Sequence, residues 1–112
     1  MNQVIDIPST GEIVLTTDSR KMYVLRGAFP VDVDISFVNG MGLGPSSYIC
    51  CMNTSNRNNT YYLHSEDPYA QGSDVIPQKR ITFFYYVSGD AAFVPVTTTD
   101  PLLEALYYAL FE

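Results

Sequence analysis

The sequence predicts an all-β domain, an antiparallel β-sandwich of jelly-roll type with about seven to eight strands and a short C-terminal helix. Val, Ile, Thr, Tyr and Phe make up 41 of the 112 residues, and these residue types suit strands. Residues 31–38 alternate between apolar and polar with the period of two that a strand imposes. Turn-rich stretches separate such runs at short intervals. A barrel would carry the same local pattern, so sandwich and barrel both stay open.

Length and charge exclude several classes of protein. The 112 residues form one domain, 1–112, because the chain is too short for a second core. Twelve acidic residues against six basic ones give a net charge of −6, whereas nucleic-acid binders and proteins that dock on anionic membranes need a basic surface. The first residues lack a secretory signal, and the longest apolar run is too short to span a bilayer. We therefore expect no nucleic-acid partner, no membrane and no secretion by a signal peptide.

The strand candidates follow one another along most of the chain. Residues 1–11 contain a first strand or an arm at 4–7, and polar turns or loops separate the later candidates. Ser88-Gly89-Asp90 predicts a hairpin, Asn39 to Pro45 and Ser65 to Gln78 predict surface loops, and Pro95 predicts an edge or bulged strand. The later strand candidates are residues 12–17, 21–26, 31–38, 48–52, 60–64, 80–87 and 91–97.

The last segment, residues 100–112, predicts a helix. Asp100 is a good N-cap, Pro101 suits the first helical position, and residues 102–111 contain no Gly and no β-branched residue. Almost every side of this helix is apolar, which is typical of a buried helix. Because a small β domain cannot cover a terminal helix on all sides, we expect it to pack partly on another subunit or a partner.

No set of residues dictates a catalytic chemistry. The run Gly40-Met41-Gly42-Leu43-Gly44 lacks the spacing of a dinucleotide-binding loop, and His64 is the single histidine. Cys50 and Cys51 are adjacent, which disfavours both a disulfide and the usual zinc spacing, so they predict buried thiols. We expect no catalytic residues, no cofactor and no metal.

One acidic pair stays open as an ion site. Asp32 and Asp34 lie on the same face of their strand, as calcium ligands or a pair of catalytic carboxylates would. Alternating strands also expose such residues to water without any function, and this is the simpler interpretation.

Adjacent aromatic residues are the most unusual feature of the chain. They occur at 61–62, 83–84, 85–86 and 107–108, and the strand at 80–87 is apolar on both faces. This strand is either central and covered on both sides, or one of its faces is a protein interface, where aromatic residues are enriched and lysine is depleted. With two lysines in the chain, we favour the interface. The predicted partner-facing residues are Phe84, Tyr86, Leu102, Leu106, Tyr107, Leu110 and Phe111.

In composition and architecture the whole chain resembles the small β-sandwich decoration (cement) proteins of tailed bacteriophages. The resemblance implies a non-enzymatic virion protein, made in the host cytoplasm, that binds the assembled capsid as a homo-oligomer and bridges capsid subunits. The alternative is an acidic phage-encoded inhibitor or adaptor that binds a host protein. A third hypothesis is a sugar-binding β-sandwich or an enzyme with exposed tyrosines, but the lack of a catalytic pattern disfavours catalysis.

Overall fold

The structure is a computed structural model that describes residues 2–16, 22–38, 48–66 and 69–111. Within these ranges the chain forms nine strands, a short 3₁₀ turn at Ser88–Asp90 and one α-helix. The elements are β1 (Asn2–Ile7), β2 (Glu12–Thr16), β3 (Met22–Gly27), β4 (Val33–Val38), β5 (Tyr48–Asn53), β6 (Asn59–Glu66), β7 (Tyr69–Ile76), β8 (Ile81–Val87), β9 (Ala92–Thr97) and α1 (Pro101–Phe111).

All nine strands belong to one sheet, in the order β1-β3-β5-β8-β9-β7-β6-β4-β2. The first six strands of the chain alternate between the two halves of this order, which we call the two flanks of the sheet. On one flank β1, β3 and β5 pair in parallel, and on the other β2, β4 and β6 do the same. Antiparallel pairing of β8 with β5 and of β7 with β6 extends the flanks, and β9 joins them by pairing with both β8 and β7.

This sheet curls into a nearly closed barrel, which corrects the predicted two-layer sandwich and raises the strand number to nine. A single buried apolar cluster draws side chains from every one of the nine strands. Tyr23 of β3 packs its ring on Phe37 of β4 with centroids 6.4 Å apart, and its hydroxyl donates to the carbonyl of Thr16 at 3.0 Å. These contacts join strands from opposite ends of the strand order, so the interior is one core enclosed by one sheet.

A tight turn brings the two ends of the sheet together. The N–H of Gly11 donates to the carbonyl of Pro8 at 2.9 Å, and Gly11 has a φ of 75°, a conformation that favours glycine. The turn connects β1 directly to β2, the first and last strands of the order. The carbonyl of Gly11 also accepts a hydrogen bond from the N–H of Asp34 at 2.7 Å, which fixes the turn to β4. The seam of the barrel is therefore bridged by a short covalent connection.

Strand β7 lies where a surface loop was predicted, so the loop prediction for residues 65–78 is wrong. Its sequence contains Gly, Ser and Asp, which have low strand propensity, and most of its side chains remain in contact with water. It is a strand because it pairs with β6 over eight residues and contributes Ala70 and Ile76 to the core. The predicted loop at 39–45 lies outside the described residues.

The turn predicted at residues 88–90 is confirmed, since it links the antiparallel strands β8 and β9. Pro95 lies within β9, opposite Phe84 of β8. On its other side β9 pairs with β7 at one position only, Gln71 with Ala92. Pro95 therefore occupies a stretch that has a ladder on one side, where a residue without an N–H is tolerated.

Buried polar side chains connect the strands and loops at one end of the barrel. The side-chain amide of Asn53 donates to the carbonyls of Arg57 and Ile76, each at 2.8 Å, while its oxygen accepts from the hydroxyl of Ser55 at 2.6 Å. The Asn59 amide donates to the carbonyl of Phe29 at 2.9 Å. Because each of these amides is buried and hydrogen-bonded, the network fixes loop positions without leaving polar atoms unpaired.

One buried phenol is an exception. The Tyr61 hydroxyl lies in the barrel interior without a hydrogen-bond partner among the described residues, and burial raises its pKa well above the ordinary value. Gly27 on β3 makes room for it, since a Cβ at this position would overlap the Tyr61 hydroxyl oxygen. The two residues therefore form a tightly matched pair within the core.

We predict that Gly27→Ala lowers the free energy of unfolding by about 1–3 kcal/mol through this overlap. Tyr61→Phe removes an unpaired buried polar atom, so its stability should be unchanged or higher by about 1 kcal/mol. In the double variant the cost of Gly27→Ala should shrink, because the overlapping oxygen is gone. Urea unfolding of the four proteins measures this coupling. Strict additivity of the two single changes would contradict the packing described for this pair.

Candidate functional site

Helix α1 lies on the outside of the barrel, against strands β3, β5 and β8. A second buried cluster forms beneath it from the outward side chains Val24, Cys50, Met52, Ile81 and Phe83. The helix covers this cluster with Leu103, Tyr107, Tyr108 and Phe111. One side of the helix packs on its own barrel. Part of the apolar surface that was predicted to bind a partner is therefore buried within the chain itself.

Polar contacts fix both ends of the helix. At the N-terminus, the carboxylate of Asp100 accepts the N–H of Leu102 at 2.9 Å, so the predicted cap is confirmed. At the C-terminus, the Arg26 guanidinium donates to the carbonyl of Phe111 at 2.6 Å, a favourable place for a cation. In the last two turns the Tyr108 hydroxyl donates to the carbonyl of Asn53 at 3.2 Å. The helix is thus attached to the barrel along its length.

The opposite side of α1 remains in contact with water. Leu102, Leu106 and Leu110 recur every four residues and are 81%, 53% and 63% exposed. We call these three residues the leucine face. They carry a large apolar area that the described part of the chain leaves uncovered, and contiguous exposed apolar surface of this kind marks interaction sites.

A groove lies between the first turns of α1 and the outer side of β8 and β9. Its volume is about 520 Å³. Four rings line it, those of Tyr48, Phe83, Tyr85 and Tyr107, and we call it the aromatic groove. Burial raises the pKa of Tyr107, and the nearby phenol of Tyr48, the thiol of Cys50 and the phenol of Tyr85 add to this effect. The remaining lining residues are Val96, Thr97, Thr98, Thr99, Asp100 and Leu103.

The predicted partner-facing residues divide into three groups. Phe84 and Tyr86 are buried inside the barrel, so these two side chains are not available to a partner. Tyr107 and Phe111 are half-buried against the outer cluster and belong mainly to the contact between α1 and the barrel. Leu102, Leu106 and Leu110 are exposed. Strand β8 is covered on both faces over most of its length, and Tyr85 is its exposed exception.

Sequence reasoning missed a cluster on the far side of the barrel. His64 of β6 has its Nε2 atom 2.7 Å from Oδ1 of Asp34 and 3.0 Å from Oγ of Ser36. In a nucleophilic triad the carboxylate and the hydroxyl contact different ring nitrogens, whereas here both contact the same one. The arrangement therefore does not form a charge relay. The pairing of β4 with β6, in which Ser36 is opposite His64, brings these side chains together, and no local sequence pattern specifies that pairing.

The acidic pair considered in the sequence does not converge on one point. Asp32 accepts the N–H of Thr60 at 3.1 Å, while Asp34 contacts His64, and both are exposed. In the described part of the chain no group of three His, Cys, Asp or Glu side chains is arranged to hold a metal ion.

The two cysteines are free thiols on opposite sides of the sheet. Cys51 belongs to the barrel interior and Cys50 to the cluster beneath α1. Burial raises the pKa of Cys50 to about 12, and burial together with the neighbouring Cys50 raises the pKa of Cys51 well above its ordinary value. Both thiols therefore stay protonated at neutral pH, which agrees with the prediction of buried structural cysteines.

Known protein families, curated proteins and solved structures gave no match to this chain. Among the described residues no helix has the length and hydropathy needed to cross a membrane.

We predict that neither thiol reacts with Ellman's reagent in the folded protein at neutral pH, and that both react once it is unfolded. The raised pKa values also predict that stability falls with pH above about 9, because the unfolded chain then loses protons that the folded chain keeps. Thermal unfolding between pH 7 and 10 measures the second effect. Rapid labelling of one native thiol, or a stability that rises over this range, would contradict the placement of the cysteines.

Proposed function

We propose that this protein is a non-enzymatic structural protein that associates through the leucine face, and that it decorates an assembled phage capsid as a homo-oligomer. The observation that carries the proposal is the exposure of Leu102, Leu106 and Leu110 on a helix that is already docked on its own barrel. Each leucine side chain contributes roughly 1.5–3 kcal/mol when it is fully buried. A second copy that covers the three residues would therefore gain a large share of the free energy that a stable dimer needs.

The fixed position of the helix supports this role. Because the Asp100 cap, the Arg26 contact and the packing of Tyr107 on Phe83 hold α1 in place, the helix needs no ordering at the moment of binding. A rigid apolar patch of this kind suits a permanent structural contact. The capsid as the larger partner, and the virion surface as the location, come from the resemblance to decoration proteins in composition and architecture.

We predict that the wild-type protein is a dimer or trimer in solution and that Leu106→Glu combined with Leu110→Glu makes it monomeric. Light scattering over a concentration series measures the mass, and circular dichroism checks that the fold is retained. Val14→Glu is a matched control, because Val14 is 67% exposed on β2, outside the helix. A wild-type monomer at every concentration, or an oligomer that survives both leucine changes, would rule out this mode of association.

Capsid binding is tested with the same proteins. Wild type and the Val14→Glu control should sediment with assembled capsids of the phage that encodes the protein, at full occupancy. The double leucine variant should remain in the supernatant. Truncation of α1 is a less specific test, because it would also uncover the buried cluster on β3, β5 and β8.

The acidic inhibitor or adaptor remains the second candidate, and one observation favours it. Glu12 of β2 lies opposite Asp34 of β4, and both side chains are exposed. Like charges in such positions destabilise a sheet, so this pair is unfavourable for the fold and suits a basic partner. This candidate predicts binding to a basic host protein that weakens as salt rises and that Glu12→Gln with Asp34→Asn reduces several-fold. Binding that ignores both salt and these changes would exclude it.

A further inference from the structure

The aromatic groove has a lining that the proposed capsid contact does not require. It is open at the surface beside α1, and its rings come from three different elements, β5, β8 and the helix. A volume of about 520 Å³ is within the range of small-ligand sites. The groove therefore offers a defined space for a compact ligand, separate from the leucine face on the other side of the helix.

The rings meet at steep angles. Phe83 packs on Tyr107 with centroids 5.3 Å apart and an interplanar angle of 75°, and on Tyr48 at 6.0 Å and 61°. Tyr48 and Tyr85 are 5.9 Å apart at 36°. Rings in such orientations do not form one flat platform, as stacking on a sugar or a planar base would require. They present ring faces and edges in several directions around the groove, which suits a compact head group.

One carboxylate lies among the side chains that line the groove. Asp100 is the one charged residue among the described lining residues, and it uses Oδ1 to cap the helix. The guanidinium of Arg80 donates to the carbonyl of Thr98, which is one of the lining residues. Its Nε atom lies 2.9 Å from the Glu104 carboxylate, an ion pair in which the N–H is not directed at the oxygen. Glu104 therefore offsets the charge of Arg80, and the Asp100 carboxylate is left as the charge at the rim.

We propose that the aromatic groove binds an organic cation, a quaternary ammonium or guanidinium head carried on a short apolar stem. The ring faces attract such a cation through their quadrupoles, and the carboxylate of Asp100 adds a direct charge interaction. The side chains of Val96 and Leu103 provide apolar surface for the stem. The net charge of −6 also favours the approach of cations.

The experiment is an NMR titration of the full chain with three probes: choline, N-acetylarginine methylamide and neohexyl alcohol, the neutral carbon isostere of choline. We expect saturable shifts of the Tyr48, Tyr85 and Tyr107 ring signals with at least one cation, and binding of the alcohol that is weaker by about tenfold. Tighter binding of choline would identify a free quaternary ammonium ligand, and tighter binding of the arginine derivative an arginine side chain. Failure of both cations, or equal binding of the alcohol, would overturn the proposal.

Two variants test the named residues. Asp100→Asn keeps a residue that caps helices equally well but removes the charge, and Tyr85→Leu removes an exposed ring. Each should weaken cation binding by about three- to tenfold. Asp34→Asn and Tyr62→Leu are matched controls on the far side of the barrel and should bind as wild type does. Unchanged affinity in both groove variants, with their thermal stability intact, would overturn the assignment. The leucine variants of α1 leave the groove rings in place, so failure of self-association would not affect this result.

Discussion

The structure depends on the need to cover two strands, β5 and β8, on both of their faces. Adjacent residues in a strand point to opposite sides, so Cys50 and Cys51, or Phe83 and Phe84, must enter two different environments. The barrel interior takes Cys51 and Phe84, while α1 covers Cys50 and Phe83. An open sheet with one wet face would leave one member of each pair in water. Closure of the sheet and docking of the helix therefore satisfy one requirement together.

The leucine face and the aromatic groove both result from the way in which α1 covers the outer face of the barrel. A single helix of eleven residues covers most outward side chains of β3, β5 and β8, with Tyr85 left exposed, but not those of β9. Val94 and Val96 of β9 consequently remain exposed, and a groove is left where the helix begins. The helix uses one side for the barrel and leaves the leucines on its other side. Packing on the barrel explains the apolar residues on one side of the helix, and the contact that we propose explains the leucines on the other side.

The polar contacts give this arrangement its rigidity. Asn53 uses its side chain to join loops at the end of the barrel and its carbonyl to accept hydrogen bonds from Lys79 and Tyr108. Arg26 links β1 to the end of α1, since it bonds to the carboxylate of Asp6 and to the carbonyl of Phe111. The same groups therefore hold the sheet and the helix. A change in the helix that reaches these contacts would alter the fold as well as any surface that the helix presents.

Local sequence patterns were sufficient to predict the all-β class, the strands with clear alternation such as β4, the turn at Ser88–Asp90 and the capped helix after Asp100. These depend on local period, turn residues and capping, which act over a few neighbouring positions. Those patterns do not show that the sheet closes, that β7 is a strand, that Phe84 and Tyr86 face inward, or that His64 contacts Asp34. Each of these depends on strand pairing between residues far apart in the chain, and period two does not specify which face of a strand turns toward the core. The aromatic groove exists for the same reason, because its rings come from β5, β8 and α1 and only the packing of the helix on the barrel brings them together.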